Sequence, residues 1–213
     1  MNGAILVDIQ GDFTQLMTGP LAVPGTGLDY LNKINKAIDR IKGWGIPLWA
    51  SQDWHPANHI SFFTNHPGKK VFDRISLLGK DQVLWPPHGV QDTPGAELLT
   101  DQALFQAVIQ KGRDYRFDSY SCFQDDGGQE TELDEILTKQ GIKTLIVFGI
   151  ATDYCVRWTA QDGLARGFKI LVIKSLCRGV DPATSAQALQ EIESKGVVIL
   201  ENLDEFLGSG FKV

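Results

Sequence analysis

The chain has 213 residues, 43% of them apolar, and 20 basic against 26 acidic side chains give a net charge of −6. This length supports one domain, residues 1–213, with a sizeable core. The acidic balance, with no Lys/Arg block, argues against nucleic acid and anionic membrane surfaces as main partners.

No apolar run approaches the ~20 residues of a membrane helix. Met1-Asn2-Gly3-Ala4 enters a strand-like run with no basic segment before it, as expected of a cytoplasmic protein. Three cysteines at unrelated spacings argue against a disulfide framework and fit a reducing compartment.

Ala4 to Val7 is apolar on both faces, as a central parallel strand requires, and ends at Asp8. Ile9 to Thr26 carries several Gly and Pro and reads as loop. Leu28, Leu31, Ile34, Ile38 and Ile41 recur at helical spacing and predict a helix over 28–44, stopped at Gly43 and Gly45. Ile46 to Ala50 is a second strand. Residues 53–94, rich in His, Phe, Trp and Pro, read as an irregular insertion of the kind that often carries function.

A short helix is expected over 96–99 and a strand over 105–109 leading into Lys111. Loop then runs to Gly128, and a helix follows over 130–140 with Leu133, Ile136 and Leu137 inward. Further strands are expected over 145–148, 170–173 and 197–200, and further helices over 156–166 and 182–195. In the tail, Phe206, Leu207 and Phe211 are candidates for a homo-oligomer contact. Strands apolar on both faces alternating with helices predict a three-layer α/β/α sandwich with a mostly parallel sheet.

Ligands of such folds bind at the carboxyl ends of strands. Asp8, Asp53, Lys111 and Cys155 all fall there. Cys155 is expected in the first turn of a helix, where the dipole and free N–H groups favour a thiolate. Taken alone, it could equally be a core cysteine at a strand–helix joint.

A free thiol has a pKa near ~8.5, so a nucleophilic cysteine needs a base or a cation. Histidine is the usual base, but His55, His59, His66 and His88 all lie in the irregular segment. Asp8 is the better candidate, because partial desolvation raises a carboxylate toward neutrality. Lys111 would orient it and stabilise the thiolate.

Asp53 and His55, two residues apart at a strand end, can point the same way, and His59 and His88 can fold back on them. Such a set is competent for Zn²⁺, Mn²⁺ or Fe²⁺. His66 reads as a surface residue, and a set of hydrogen-bonded loop histidines is the plain alternative.

Val7-Asp8-Ile9-Gln10-Gly11-Asp12-Phe13, the segment Asp53 to Phe62, Trp85-Pro86-Pro87-His88-Gly89-Val90, Lys111-Gly112, Tyr120-Ser121 and Gly149 to Val156 come in an order that resembles the nicotinamidases of the isochorismatase-like cysteine hydrolases. The resemblance covers most of the chain and implies the fold of that family. It implies a triad of Asp8, Lys111 and Cys155, and a divalent metal, Zn²⁺ first, held by Asp53, His55 and His88. His59 would be an additional ligand or a partner of one.

The resemblance further implies a cis peptide before Ala151 and an oxyanion hole from the Ala151 and Cys155 N–H groups. Phe13, Trp85 and Tyr120 would wall an aromatic slot. The activity implied is hydrolysis of nicotinamide, with pyrazinamide also accepted, in NAD salvage. Gly89 departs from relatives with cysteine there, and Cys122 and Cys177 match no catalytic position. An amidase for another small amide, a metal-water hydrolase and a catalytically dead binding protein remain as rivals.

Overall fold

The computed structural model describes residues 1–77 and 79–208. Six parallel strands form the central sheet: β1 (Asn2–Val7), β2 (Leu48–Asp53), β5 (Val108–Lys111), β6 (Thr144–Gly149), β7 (Lys169–Ile173) and β8 (Val198–Leu200). Their spatial order is β5-β2-β1-β6-β7-β8. The chain winds outward from β1 through β2 to β5, then restarts at β6 on the other side. The topological switch therefore lies between β1 and β6, where open α/β sheets form their crevice. The register pairs Val7 with Gly149 and Asp53 with Lys111, so their carboxyl ends are level.

Helices cover both faces: α1 (Leu28–Gly43), α2 (Leu133–Lys139), α3 (Arg157–Ala165) and α4 (Pro182–Ser194), followed by a short α5 (Leu203–Gly208). The inward stripe of α1 buries Ile34, Ile38 and Ile41 completely, each contributing about 1.5–3 kcal/mol. The α4 helix starts at Asp181, whose side chain accepts from the Ala183 and Thr184 N–H groups, with Pro182 at its first position.

Several expectations shift. The fifth strand begins at Val108 and includes Lys111; the apolar Phe105 precedes it, after a 3₁₀ turn over Gln102–Leu104. Residues 96–99 are no helix, because a 3₁₀ turn ends at Ala96 and Leu98 bridges to Gln10. The irregular segment contains a hairpin, β3 (Arg74–Leu77) with β4 (Lys80–Val83). Phe206 is fully buried and stacks on Trp44 at 5.7 Å, so it belongs to the core and not to a contact surface. Leu207 is exposed, and Phe211 lies outside the described residues.

Candidate active site

The nucleophile segment leaves β6 at Gly149, whose φ of +133° and close approach to the Val7 carbonyl oxygen leave no room for a Cβ. The Ile150–Ala151 peptide is cis. Thr152–Val156 is wound as a π-helical turn, a form frequent at functional sites, and α3 begins only after it. Cys155 thus sits one turn earlier than a regular helix start. The turn is pinned from behind by buried Asp153, which accepts from Val180 N–H at 3.0 Å, Asp181 N–H at 3.2 Å and Thr184 Oγ1 at 2.6 Å.

Asp8, Lys111 and Cys155 converge at the switch point. Lys111 Nζ lies 3.1 Å from Asp8 Oδ2 and 3.6 Å from Cys155 Sγ. It also donates to the Ser119 carbonyl at 2.9 Å and pairs with Asp53 Oδ1. Asp8, in the left-handed region at φ +49°, accepts from Ser51 Oγ at 2.6 Å.

Burial alone would lower the Lys111 pKa, but Asp53 and Asp8 outweigh it and hold the ammonium charged well beyond the ordinary range. Burial raises Asp8, and Lys111 only partly offsets this. Burial also pushes the Cys155 thiol well up, against the pull of Lys111. The neighbouring Asp8 carboxyl adds to this upward push on the thiol.

Asp53, His55 and His88 bring one donor atom each within 4.8 Å of one another. Both imidazoles are oriented from behind. His55 Nδ1–H donates to the Gly112 carbonyl at 2.9 Å, and His88 Nδ1–H to that of Pro86 at 2.7 Å. Each Nε2 lone pair is left free, the arrangement a metal-ligating histidine needs. His55 Nε2 is buried with no hydrogen-bond partner in the protein, 3.6 Å from Asp53 Oδ2.

Burial and then His55 bring His88 down to about 4, so it is neutral at physiological pH. Burial lowers His55 too, but Asp53 reverses this and raises it. A proton and a cation thus compete for the same nitrogen. The donor set fits a divalent ion. Asp8, Asp53 and Cys155 also cluster, but the Lys111 ammonium already occupies their midst.

His59 is placed beside this set, not in it. Its ring lies 4.2 Å from that of His55, but Nδ1 is engaged by Ser61 Oγ at 2.8 Å and Nε2 by the Phe117 carbonyl at 3.0 Å. His66 is partly buried and bonded to the Ile60 carbonyl at 2.7 Å, away from the cluster.

Between thiol and histidines lies a cleft lined by Phe13, Trp85, Tyr120, Tyr154, Ile150 and Ala151. Trp85 Nε1–H donates to the Tyr120 hydroxyl at 3.1 Å and meets Tyr154 edge-on at 5.2 Å. Phe13 tilts against His88 at 5.5 Å. Cys122 and Cys177 are buried away from the cleft lining, and burial pushes both thiols up to about 12.

Sequence reasoning missed four supports. Ser51 holds Asp8. Gln10 clamps Asp53 by accepting from its N–H at 2.8 Å and donating to its carbonyl at 2.9 Å. Asp118 is buried, accepts from Gln82 Nε2 at 2.9 Å and hydrogen-bonds the Tyr120 hydroxyl. Tyr154 adds an aromatic wall. Only Gln10 and Tyr154 carried a signal, as neighbours of the strand-end Asp8 and of Cys155.

The isochorismatase domain model matches residues 3–202. The chain belongs to the isochorismatase family. Within this family it is similar to the nicotinamidase of Escherichia coli, at 44% identity over 92% of each chain. Among solved structures it resembles a nicotinamidase/pyrazinamidase of Acinetobacter baumanii, at 40% identity and TM-score 0.85, covering 95% of this chain and 97% of that one. It also resembles a pyrazinamidase of Pyrococcus horikoshii in complex with zinc, at 36% identity and TM-score 0.78, covering 93% and 98%. As an isochorismatase-family member of this kind, the chain is a hydrolase with an α/β/α fold.

Gly112 ties the strand end to the metal-ligand set. At φ +67° it faces the His55 ring so closely that a Cβ would overlap it. Gly112→Ala is expected to displace His55 and lower bound metal and activity about 10- to 100-fold. Metal analysis of the purified variant, alongside its Tm, checks this; full metal occupancy would contradict it.

Proposed function

We propose that this chain hydrolyses nicotinamide to nicotinate and ammonia through a thioester on Cys155. The observation that carries the reading is Lys111 Nζ bridging Asp8 and Cys155, at 3.1 and 3.6 Å, where those two residues line an aromatic cleft with a histidine–carboxylate cluster beside it. The named relatives, nicotinamidases and pyrazinamidases, point to the same substrate class.

As Sγ attacks the carboxamide carbon, its proton passes to Asp8, whose raised pKa suits it to hold one. Lys111 stays charged and stabilises the anionic sulfur. The Ala151 and Cys155 N–H groups receive the oxyanion. Asp8 returns the proton to the departing nitrogen, ammonia leaves, and a nicotinoyl thioester remains. Water then attacks, Asp8 takes its proton, and nicotinate leaves as the Cys155 thiol is restored.

Asp53, His55 and His88 would hold a divalent ion, Zn²⁺ first, with Mn²⁺ and Fe²⁺ also suited to the donor set. When bound, that ion supplies a Lewis-acid seat for the pyridine nitrogen. Phe13, Trp85 and Tyr120 orient the ring by their faces, and pyrazinamide presents the same features.

No described helix is long and apolar enough to cross a membrane. Three free thiols suit a reducing cytoplasm, where salvage of nicotinamide would place this reaction. An ammonia-release assay on purified protein is expected to show turnover of nicotinamide and pyrazinamide. A chelator should abolish it and added Zn²⁺ restore it. Metal-replete protein that released no ammonia from nicotinamide would overturn the reading.

A further inference from the structure

A second cavity lies behind the reaction centre. It has a volume of about 20 Å³ and is lined by polar residues, among them Gln110, Lys111, Ser119, Gln129, Glu130 and Thr131. That is room for one water molecule. Gln129 and Glu130 are exposed, so its outer end meets solvent. Ser119 lines both this cavity and the aromatic cleft in front. It is 2% exposed, and its Oγ has no hydrogen-bond partner in the protein. Its carbonyl, 2.9 Å from Lys111 Nζ, fixes it beside the thiol–lysine pair.

We propose that this rear cavity is a port for water and ammonia, with the Ser119 hydroxyl as the hydrogen-bonding station between it and the reacting carbon. The inference rests on the amide hydrolysis argued above. In that reaction the flat acyl ring fills the front cleft while ammonia must leave and water must reach the thioester. Apart from Asp8, Asp53, His88, Asp118 and Ser119, the front cleft is lined by aromatic and aliphatic residues that offer small polar molecules few partners.

Ser119 Oγ can donate to the departing nitrogen and then accept from, or donate to, the incoming water. A buried hydroxyl without a partner costs about 1–3 kcal/mol, and a transient water on the rear side satisfies it. The chemistry is unchanged. One C–N bond breaks, with its proton from Asp8, and one C–O bond forms from water, whose proton returns to Asp8.

Ser119→Ala removes the station, and Ser119→Val also narrows the passage. Nicotinamide turnover is followed in the pre-steady state with ammonia and nicotinate measured separately. Acid-quenched protein is examined by mass spectrometry, and Tm and metal content are recorded for each variant. The wild type is expected to release both products in step. Ser119→Val should give a burst of ammonia ahead of nicotinate, a nicotinoyl adduct on Cys155, and kcat lowered about ten-fold or more. Ser119→Ala should show a smaller effect in the same direction at unchanged Tm.

Variants that keep wild-type kcat with no burst would overturn the port. So would a raised KM at unchanged kcat, which would make the hydroxyl a ring contact. A wild type that does not hydrolyse nicotinamide would instead overturn the underlying reading.

Discussion

Cys155→Ala is expected to lower nicotinamide turnover by about 10⁴-fold or more, with metal content and Tm near those of the wild type. The size of the loss follows from the covalent path: without Sγ no thioester forms. The remaining groups are arranged around a sulfur, with Lys111 Nζ 3.6 Å from Sγ. Metal content should hold because the ligand set is oriented independently of the thiol. His55 is fixed by the Gly112 carbonyl, His88 by that of Pro86, and Asp53 by Gln10. The fold should hold because the change removes one buried sulfur and leaves the Lys111–Asp8 pair at 3.1 Å in place.

The variant should therefore still bind nicotinamide, which calorimetry can read. Retained turnover in Cys155→Ala would favour a metal-water hydrolase, and tight ring binding by a wild type that releases no ammonia would favour a binding protein. Alkylation gives a second view. Cys155 lines the cleft, whereas Cys122 and Cys177 are buried and do not line it. Inactivation by a small alkylating agent should accompany modification of Cys155 alone.

The strands were legible because a parallel sheet buries both faces, and Ala4 to Val7, Leu145 to Phe148 and Ile170 to Ile173 each end abruptly in polar or glycine-containing sequence. The site residues Asp8, Asp53, Lys111 and Cys155 fall at such ends, so position and residue type reinforced each other. The shift of the fifth strand to Val108–Lys111 has a physical reason. It is an edge strand with alternating burial, so its apolar content does not mark its start. The β3–β4 hairpin has no short Asn-Gly or Asp-Gly turn to announce it.

The role of His59 was not readable locally. One of its ring nitrogens is taken by Phe117, which reaches it from a distant loop. Ser51 and Asp118 belong to no motif, and their importance arises only when folding brings Asp8 and Tyr120 to them. For the Cys155 thiol, a helix start and Lys111 favour the thiolate, while burial in the π-turn acts against them.

Lys111→Met is expected to reduce turnover by at least about 10³-fold and to destabilise the fold by roughly 3–5 kcal/mol at neutral pH. For a chain of this size that is a fall in Tm of roughly 10 °C. Lys111 is 1% exposed and lies between two buried carboxylates, Asp8 and Asp53. Methionine preserves its length and apolar stem but removes the charge that both carboxylates face.

The sign with pH distinguishes this from a packing defect. In the wild type, burial alone would raise Asp53, but Lys111 and His55 outweigh it and hold the carboxyl far below the ordinary aspartate range. Its contribution is thus present above the ordinary pKa of ~3.9 and is lost as pH falls toward the folded value. In Lys111→Met the same burial acts without its main counterweight, so Asp8, raised already in the wild type, rises further, and Asp53 loses the charge that holds it low. A carboxyl so raised favours the fold below the unfolded pKa and loses that contribution as pH rises through the folded value. The two effects run in opposite directions, so the gap in Tm between wild type and variant should be wide at pH 8 and narrow at pH 5. Thermal melts of metal-free protein at both pH values measure it, and a gap that did not change with pH would assign the loss to packing and remove Lys111 from its electrostatic role.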